Sequence, residues 1–186
     1  MPALEARRLT VDELVLRPFT VGDEPAVAVA LEDPGILRWT AGTAVLRTPA
    51  PQRAAKWLET RIDSWSRGNA VFAVVDAASD QLLGSVTLRD VNRIPDQAVC
   101  AYWVSPAARG RRIATRALNA AAGWAFAPDG LGLHRLSLDH ALINEGSCRV
   151  ASAAGFLLEG TMRDYYVEAT GRRHDSHLHA RLATDA

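Results

Sequence analysis

The sequence predicts one mixed α/β domain: two observations support the fold class and a third supports the single domain. First, short apolar runs bounded by turn residues outnumber the amphipathic helical segments along the chain. Second, a helical segment over 111–126 lies between apolar runs at 98–105 and 133–142, and such a crossover makes two strands parallel neighbours. Third, 186 residues with 48% apolar and 23% charged side chains can bury one core, so a single domain is expected.

Strands and helices are predicted to alternate along the chain. The first strand covers 14–19, and Asp23 is expected to cap the helix that follows it. The segment 51–67 has apolar residues at helical spacing and ends at a Gly-Asn pair, which predicts one amphipathic helix. The remaining predicted elements, in chain order, are strands 70–76, 81–89 and 98–105, helix 111–126, strand 133–142, helix 145–154, and strands 156–168 and 173–182.

Charge and cysteine content limit the partners and the compartment. Basic and acidic residues both number 21, so the formal net charge is zero and no overall field favours nucleic acid or an anionic membrane. Charged residues interrupt the N-terminal segment, which predicts neither a signal peptide nor a membrane span. Cys100 and Cys148 are too few for a disulfide framework, so reduced thiols and a cytoplasmic location are expected.

The segment 101–118 carries the strongest functional signal. It joins an aromatic strand, a proline turn, a basic glycine-containing loop and an alanine-rich helix. Backbone N–H groups at a helix start have no intrahelical partner, and the helix dipole adds partial positive charge there, so phosphate is a natural ligand. Arg109, Arg111 and Arg112 can add charge-assisted contacts. The segment therefore predicts a binding site for a phosphorylated cofactor at the end of strand 98–105.

Here the chain resembles the GNAT acyltransferases, within them the branch typified by bacterial ribosomal-protein N-terminal acetyltransferases. The family's signature, Gln/Arg-x-x-Gly-x-Gly/Ala, corresponds to Arg109-Gly110-Arg111-Arg112-Ile113-Ala114, which Thr115 follows. Further matches in the family's order are Leu16-Arg17-Pro18, the helix with Trp57, Leu83-Gly84-Ser85-Val86, Tyr102-Trp103-Val104-Ser105-Pro106, Asn144-Glu145-Gly146-Ser147, Ala154-Gly155-Phe156, Glu159-Gly160 and Arg163. The resemblance implies one acetyltransferase domain over 1–186, with a core of about 13–183.

The resemblance also implies the cofactor, acetyl-CoA, and where it binds. It implies a mostly antiparallel sheet of about seven strands flanked by helices, with a splayed parallel pair that holds the cofactor. The pyrophosphate is expected on the amides of 111–115, with pantetheine along the strand that ends at Val104. The implied cofactor-binding residues are Trp103, Val104, Arg109, Gly110, Arg111, Arg112, Ile113, Ala114, Thr115, Asn144 and Ser147. Arg112 departs from the family, which prefers glycine there, and a left-handed φ at this position would cost energy.

The implied reaction is direct attack of an amine on the thioester in a ternary complex. An α-amino group, with a pKa of about 8, is partly neutral at pH 7, whereas lysine needs more help, so an α-amine is favoured. The branch implies that Ser147 serves the departing thiolate as a general acid. Helix capping is an alternative explanation for the spacing of Asn144 and Ser147, because Asn144 would cap the next helix with Ser147 near its third position. Both roles can hold together.

The general base stays open at the level of sequence. Related sequences carry an acidic residue just before the Tyr-Trp pair, but 97–101 contains none here. Asp90, Asp96 and Asp139 are the nearby carboxylates, and an exposed carboxylate is a weak base unless burial raises its pKa. A water relay is an equal alternative.

Three further features suggest chemistry but have simpler explanations. The run 174–179 holds three histidines and an aspartate, yet strand alternation predicts a solvated face and no metal site, with His174 or His177 at the substrate entrance. Cys148 follows Ser147 at a helix start, which allows an acyl-cysteine intermediate, although no partner for it is assignable. The five tryptophans could frame a pocket, but their spacing mostly fits core faces.

Together these observations predict an acetyl-CoA-dependent N-acetyltransferase. Its acceptor is a primary amine, either a protein N-terminal α-amine or a small molecule. A non-catalytic acyl-CoA-binding or sensing domain is the alternative, because Arg112 and the missing acid depart from the family. A nucleic-acid-binding module is a poor third, since the basic pairs are scattered. Strand 173–182 could lie at a sheet edge and pair with a second copy, so a homodimer is possible.

Overall fold

The computed structural model describes residues 3–40, 42–168 and 170–185. Within these residues, eight strands form one sheet: β1 (Leu9–Val11), β2 (Leu14–Pro18), β3 (Ala70–Asp76), β4 (Leu82–Arg89), β5 (Gln97–Val104), β6 (Arg135–Ala141), β7 (Leu157–Val167) and β8 (Arg173–Leu182). The α-helices are α1 (Glu24–Ala30), α2 (Pro34–Thr40), α3 (Gly42–Arg47), α4 (Arg53–Ile62), α5 (Ile113–Phe126) and α6 (Glu145–Ala153).

The sheet confirms the predicted mixed α/β fold. The strand order is β1-β2-β3-β4-β5-β6-β8-β7, and neighbours are antiparallel except β5 and β6, which are parallel across α5. The count exceeds the expected seven because β1 had not been predicted. No helix among the described residues is long and apolar enough to cross a membrane.

Helices cover both faces of the sheet. On one face, α5 and α6 pack on alternate side chains of the central strands, and the fully buried Ala117, Ala121 and Ala125 let α5 approach the sheet closely. On the other face, α1 to α4 cover a second apolar cluster that contains Trp57 and Trp103. The interior strand β3 is buried on both faces, which explains its nearly continuous apolar run.

The parallel pair splays in the middle of the sheet. Pairing of β5 with β6 runs from Gln97↔Arg135 to Cys100↔Leu138, whereas β5 stays paired with β4 up to Val104 and β6 stays paired with β8 up to Ala141. The two strands therefore part after Cys100 and Leu138. The gap lies between residues 101–104 of β5 and 139–141 of β6, and it connects the two faces of the sheet.

Several boundaries differ from the prediction. The predicted helix over 51–67 is shorter in the structure, because α4 ends at Ile62 and a separate 3-10 turn, Trp65–Arg67, leads to Gly68 in a left-handed conformation (φ 77°). The predicted helix over 111–126 begins at Ile113, since Arg112 is left-handed. Asp23 is the N-cap residue of α1 as expected, but its carboxylate accepts from Arg17 and the Thr20 amide instead of capping the helix.

The predicted edge strand is not at the edge. β8 lies between β6 and β7, so both of its sides are paired, and the prediction that 173–182 is an edge strand is wrong. β7 occupies the edge instead. The reason is topological: the β7–β8 hairpin folds back so that its second strand, not its first, pairs with β6.

Candidate active site

Two cavities meet at the gap between β5 and β6. The first, of about 670 Å³, lies on the α5 and α6 side and is called the α5–α6 cavity. Ten of the eleven predicted cofactor-binding residues line it, namely Trp103, Val104, Arg109, Gly110, Arg112, Ile113, Ala114, Thr115, Asn144 and Ser147. Arg111 is not in the lining. Its charge helps to lower the pKa of Asp76, although hydrogen bonds from Ser79 lower that pKa more.

The start of α5 presents its amides to this cavity. Arg112 is the N-cap residue with φ 56° and ψ 21°, and no side chain caps the helix. The first intrahelical bond runs from the Arg116 amide to the Arg112 carbonyl at 3.1 Å, so the three preceding amides are available to an anion. Gly110 also has a positive φ, and a Cβ built there would meet nothing within 4 Å. This open, uncapped helix start fits the pyrophosphate of CoA.

Arg109 forms an ion pair with Asp33 and does not point freely into the cavity. Its two terminal nitrogens bond the Asp33 carboxylate at 2.8 and 3.1 Å, and its Nε donates to the Val104 carbonyl at 3.3 Å. The same carboxylate caps α2 through the Ile36 amide at 2.8 Å. Arg109 lowers the pKa of Asp33. Because the Arg109 side chain is half exposed, the pair is weak enough for its guanidinium to change partner when a phosphate binds.

Ser147 lies at the junction of the two cavities. The Tyr102 hydroxyl donates to Ser147 Oγ at 3.0 Å, and burial raises the pKa of Tyr102 to about 12. Asn144 caps α6 by accepting from the Ser147 amide at 3.3 Å. The structure therefore confirms the cap. Ser147 also lines both cavities, so one residue can serve both purposes.

The second cavity, of about 530 Å³, lies on the α4 side and is called the α4 cavity. It combines aromatic walls with a mixed set of charges, and its lining includes Trp39, Trp57, Trp103, Tyr166, Arg61, Arg67, Arg89, Asp90, Asp139 and His140. It shares Trp39, Tyr102, Trp103, Asn144 and Ser147 with the α5–α6 cavity. A molecule in each cavity would meet its neighbour beside Ser147.

The three carboxylates that are candidates for the general base differ in whether they line the α4 cavity. Asp139 and Asp90 line the α4 cavity, whereas Asp96 does not and instead forms a turn whose carbonyl accepts from the amides of His134 and Arg135. Burial raises the pKa of Asp139, and the Arg89 guanidinium, 3.6 Å away, opposes part of that effect. Asp139 is therefore the best placed carboxylate for accepting a proton.

The histidines of β8 are not on a solvated face. His179 is 1% exposed and His177 is half-buried, so that prediction is wrong. α6 covers this face and brings Cys148 Sγ to 3.9 Å from His177 Nδ1, a partner that sequence spacing could not assign. Neither His174 nor His177 lines the two cavities, and Cys148 lines neither, which removes the support for an acyl-cysteine intermediate.

Two features of the site had not been predicted. The Tyr102–Ser147 bond joins residues 45 positions apart, and only the Tyr-Trp pair in the strand hinted at it. A contact between α2 and the end of β7 closes one side of the α4 cavity, where Tyr166 packs on Trp39 with ring centroids 5.2 Å apart. No local pattern in the sequence signals this contact.

Comparison with known proteins identifies the family. Residues 13–157 match the family described as "Acetyltransferase (GNAT) domain". The chain belongs to the GNAT acetyltransferases, and it is an N-acetyltransferase enzyme. Three features of the structure agree with this family: the splayed strands, the uncapped start of α5 and the two cavities that meet.

Relatives place the chain near the ribosomal branch. It is 32% identical over 129 residues, 67% of this chain and 68% of the other, to the Bacillus subtilis (strain 168) protein named "Putative ribosomal N-acetyltransferase YdaF". Mycobacterium smegmatis RimJ, solved in complex with CoA-disulfide, is 25% identical with a TM-score of 0.78, over 96% of this chain and 87% of that one. The Vibrio fischeri ribosomal-protein-S5-alanine acetyltransferase shares the fold at 22% identity, with a TM-score of 0.78 and coverage of 96% and 98%.

Proposed function

We propose that the protein transfers the acetyl group of acetyl-CoA to a primary amine by direct attack in a ternary complex. The observation that carries this proposal is the meeting of the α5–α6 cavity and the α4 cavity at Ser147. One cavity suits a phosphorylated cofactor and the other an amine. Holding the two reactants in attack geometry can supply about 7–11 kcal/mol of the barrier, so positioning is the main task of the site.

The α5–α6 cavity holds the cofactor through backbone groups. The amides of Ile113, Ala114 and Thr115 bind the pyrophosphate, with Arg109 and Arg112 adding charge beside it. Beyond Cys100, β5 has lost β6 as a partner, so its backbone faces the gap and is available to pantetheine. Acetyl-CoA, when bound, supplies the activated thioester.

Ser147 and Tyr102 serve the leaving group. A serine hydroxyl alone is a poor acid, but Tyr102 stays protonated at neutral pH because burial raises its pKa to about 12. Tyr102 donates to Ser147 Oγ, which leaves the serine proton free to point at the departing sulfur. The pair thus stabilises the thiolate, and the cap from Asn144 keeps Ser147 in place.

Asp139 receives the proton of the attacking amine, directly or through one water. It lines the α4 cavity, and its raised pKa makes it a better base than an exposed carboxylate. Arg89 holds the carboxylate from one side at 3.6 Å. Arg89 also pairs with Asp90 at 2.9 Å, so the two carboxylates of the cavity share one guanidinium.

The favoured acceptor is a protein N-terminal α-amine. The name of YdaF, a putative ribosomal N-acetyltransferase, supports a ribosomal protein as acceptor, and the pKa of an α-amine, which needs only a modest base, favours its N-terminus. A small-molecule amine is the second candidate. A cytoplasmic location and a homodimer stay predictions.

The test is an acetyl-transfer assay with peptides of varied first residue beside small amines and a lysine side-chain substrate. We expect α-amine acetylation, measured by mass spectrometry together with thiol release, and a loss of rate in Ser147→Ala at unchanged acetyl-CoA affinity. Ser152→Ala, on the exposed face of α6, is the matched control. Binding of acetyl-CoA without transfer to any amine would support the acyl-CoA-binding alternative.

A further inference from the structure

Four metal-ligating side chains converge beside the active site. His140 on β6, His177 and His179 on β8, and Cys148 on α6 place their ligand atoms within 4.8 Å of one another. Pairing of His140 with His177 in the antiparallel register puts the three rings on the same face of the sheet, and α6 covers that face. His140 also lines the α4 cavity, but neither the family assignment nor the proposed reaction gives any of the four side chains a role.

Hydrogen bonding fixes the orientation of two of the rings. His140 Nδ1 lies 3.0 Å from the Ala141 carbonyl, and His179 Nδ1 lies 3.2 Å from the Phe156 carbonyl. A carbonyl only accepts, so Nδ1 carries the proton in both rings. Their Nε2 atoms, 3.3 Å apart, then face each other as two lone pairs when the rings are neutral. Two opposed lone pairs in a buried site repel each other unless a proton or a metal ion lies between them.

Two of the spacings within the group are close to those of a tetrahedral metal ion, and all four ligand atoms lie within 4.8 Å of one another. Zn–N bonds of about 2.0–2.1 Å place two nitrogen ligands roughly 3.3–3.4 Å apart, and a Zn–S bond of about 2.3 Å places nitrogen and sulfur roughly 3.6 Å apart. The Nε2 atoms of His140 and His179 have the first spacing at 3.3 Å. Cys148 Sγ and His177 Nδ1, at 3.9 Å, are slightly wider than the second. The carbonyls that hold His140 and His179 are the outer partners that metal-binding histidines usually have.

We propose that His140, Cys148, His177 and His179 bind one zinc-type divalent ion. Imidazole and thiolate ligands select ions of this class over magnesium or calcium. Four protein ligands close the coordination sphere, which is the arrangement of a structural site and leaves no position for substrate. The ion ties α6 to β6 and β8. Since Cys148 follows Ser147, the ion also fixes the start of the helix that carries Ser147.

The ion can reach the site from one side. His140 and His179 are buried at 5% and 1% exposure, whereas Cys148 and His177 are half-buried and form the outer side of the group. Binding therefore needs no unfolding of the sheet. The other cysteine, Cys100, is fully buried in the core, so it cannot supply the thiolate.

The experiment is a titration of the whole protein with Co²⁺ after chelator treatment under reducing conditions. We expect one equivalent to give the strong visible bands of tetrahedral Co²⁺ and a thiolate-to-cobalt charge-transfer band, and Zn²⁺ to displace it. Cys148→Ser should lose the charge-transfer band. His177→Gln should weaken binding at least as much as the loss of an outer partner does in known sites, roughly 10- to 100-fold.

His134→Gln is the matched control, because His134 is exposed and outside the group. Circular dichroism of each metal-free variant checks that it folds, and the two ligand variants are independent of each other. Metal binding is also read from the melting temperature, which should rise with Zn²⁺ concentration in the native protein and the control only. Octahedral cobalt spectra, several weak equivalents, or a thiolate band that survives in Cys148→Ser would overturn the proposal.

Discussion

Arg112 stores backbone strain at the start of α5. Its φ of 56° is left-handed, a region that costs most residues about 1–2 kcal/mol and glycine almost nothing. We expect Arg112→Gly to raise the free energy of unfolding by about 1 kcal/mol in the absence of cofactor, measured by urea denaturation. Arg111→Gly is the control, because Arg111 is not left-handed and glycine there only loosens the unfolded chain. Equal effects of the two changes would contradict the strain argument.

Tyr102 supports Ser147 through one hydroxyl. In Tyr102→Phe the ring and its packing remain while the bond to Ser147 Oγ is lost. A hydrogen bond of about 0.5–1.5 kcal/mol predicts a fall in kcat of roughly two- to tenfold, with KM for acetyl-CoA unchanged. Steady-state kinetics measure both. Tyr165→Phe, at an exposed position, should leave both constants unchanged, and a change in KM alone would argue that Tyr102 only shapes the cavity.

Asp139 makes stability depend on pH and, in the proposed reaction, the rate as well. Burial raises its pKa in the folded protein, so the charged form is disfavoured on folding. The resulting loss of stability is complete above the raised pKa. It is absent below about 4, the pKa of an aspartate in the unfolded chain, because both the folded and the unfolded states are protonated there. We expect Asp139→Asn to be slower at neutral pH yet more stable, with the gain in melting temperature disappearing as pH falls toward 4. Asp96→Asn, outside the cavity, should not change the rate.

That most of the predicted cofactor-binding residues line one cavity could be expected, because many of them are neighbours in sequence. Arg109 to Thr115 form one loop and helix start, so their proximity follows from the chain itself. That Asp139 lines the α4 cavity and Asp96 does not could not be predicted, since only the splay of β6 exposes Asp139 to the cavity. The burial of His179 was missed because strand alternation does not say which face a later helix covers.

At the scale of elements, β4 and β5 approach closely because Gly84 lies opposite Val104. A Cβ on Gly84 would come within 2.4 Å of the Trp103 carbonyl oxygen, a backbone atom that cannot move without shifting β5. We expect Gly84→Ala to destabilise the protein by about 1–3 kcal/mol and to weaken acetyl-CoA binding. Gly123→Ala, inside α5 with nothing within 4 Å, should instead stabilise by about 0.5–1 kcal/mol. Thermal denaturation distinguishes the two, and a tolerated Gly84→Ala would contradict the close approach.

Element prediction succeeded where the signal was periodic. β3, β4, β5 and β8 follow apolar runs or clear turns, and their predicted bounds hold within about two residues. α2 and α3 were missed because each is short and has glycine in its first turn, which lowers helix propensity. They form because Ile36 and Val45 are buried against α4 and the sheet, a contact that the local sequence does not show.

At the scale of the whole molecule, the N-terminal helices and the C-terminal hairpin close the α4 cavity between them. Arg38 on α2 binds Glu168 just after β7, with its Nε 3.1 Å from the carboxylate, and the Tyr166 hydroxyl donates to the Arg38 carbonyl. His174 Nε2 lies 2.6 Å from the same carboxylate. The two halves of the chain thus meet beside the α4 cavity, which Trp39 and Tyr166 line.

Glu168→Gln should therefore weaken binding of the acceptor amine and leave binding of the cofactor unchanged. Weakening this partly exposed ion pair predicts a rise in KM for the acceptor of roughly two- to fivefold, at unchanged acetyl-CoA affinity. Arg38 and then His174 lower the pKa of Glu168, so its stabilisation is present above the usual glutamate pKa and is lost as pH falls through the lowered value. The melting temperatures of native protein and variant should differ at pH 7 and converge in acid. Glu59→Gln, which breaks an exposed pair with Lys56 on α4, should leave KM unchanged; an equal effect there would show that Glu168 does not close the cavity.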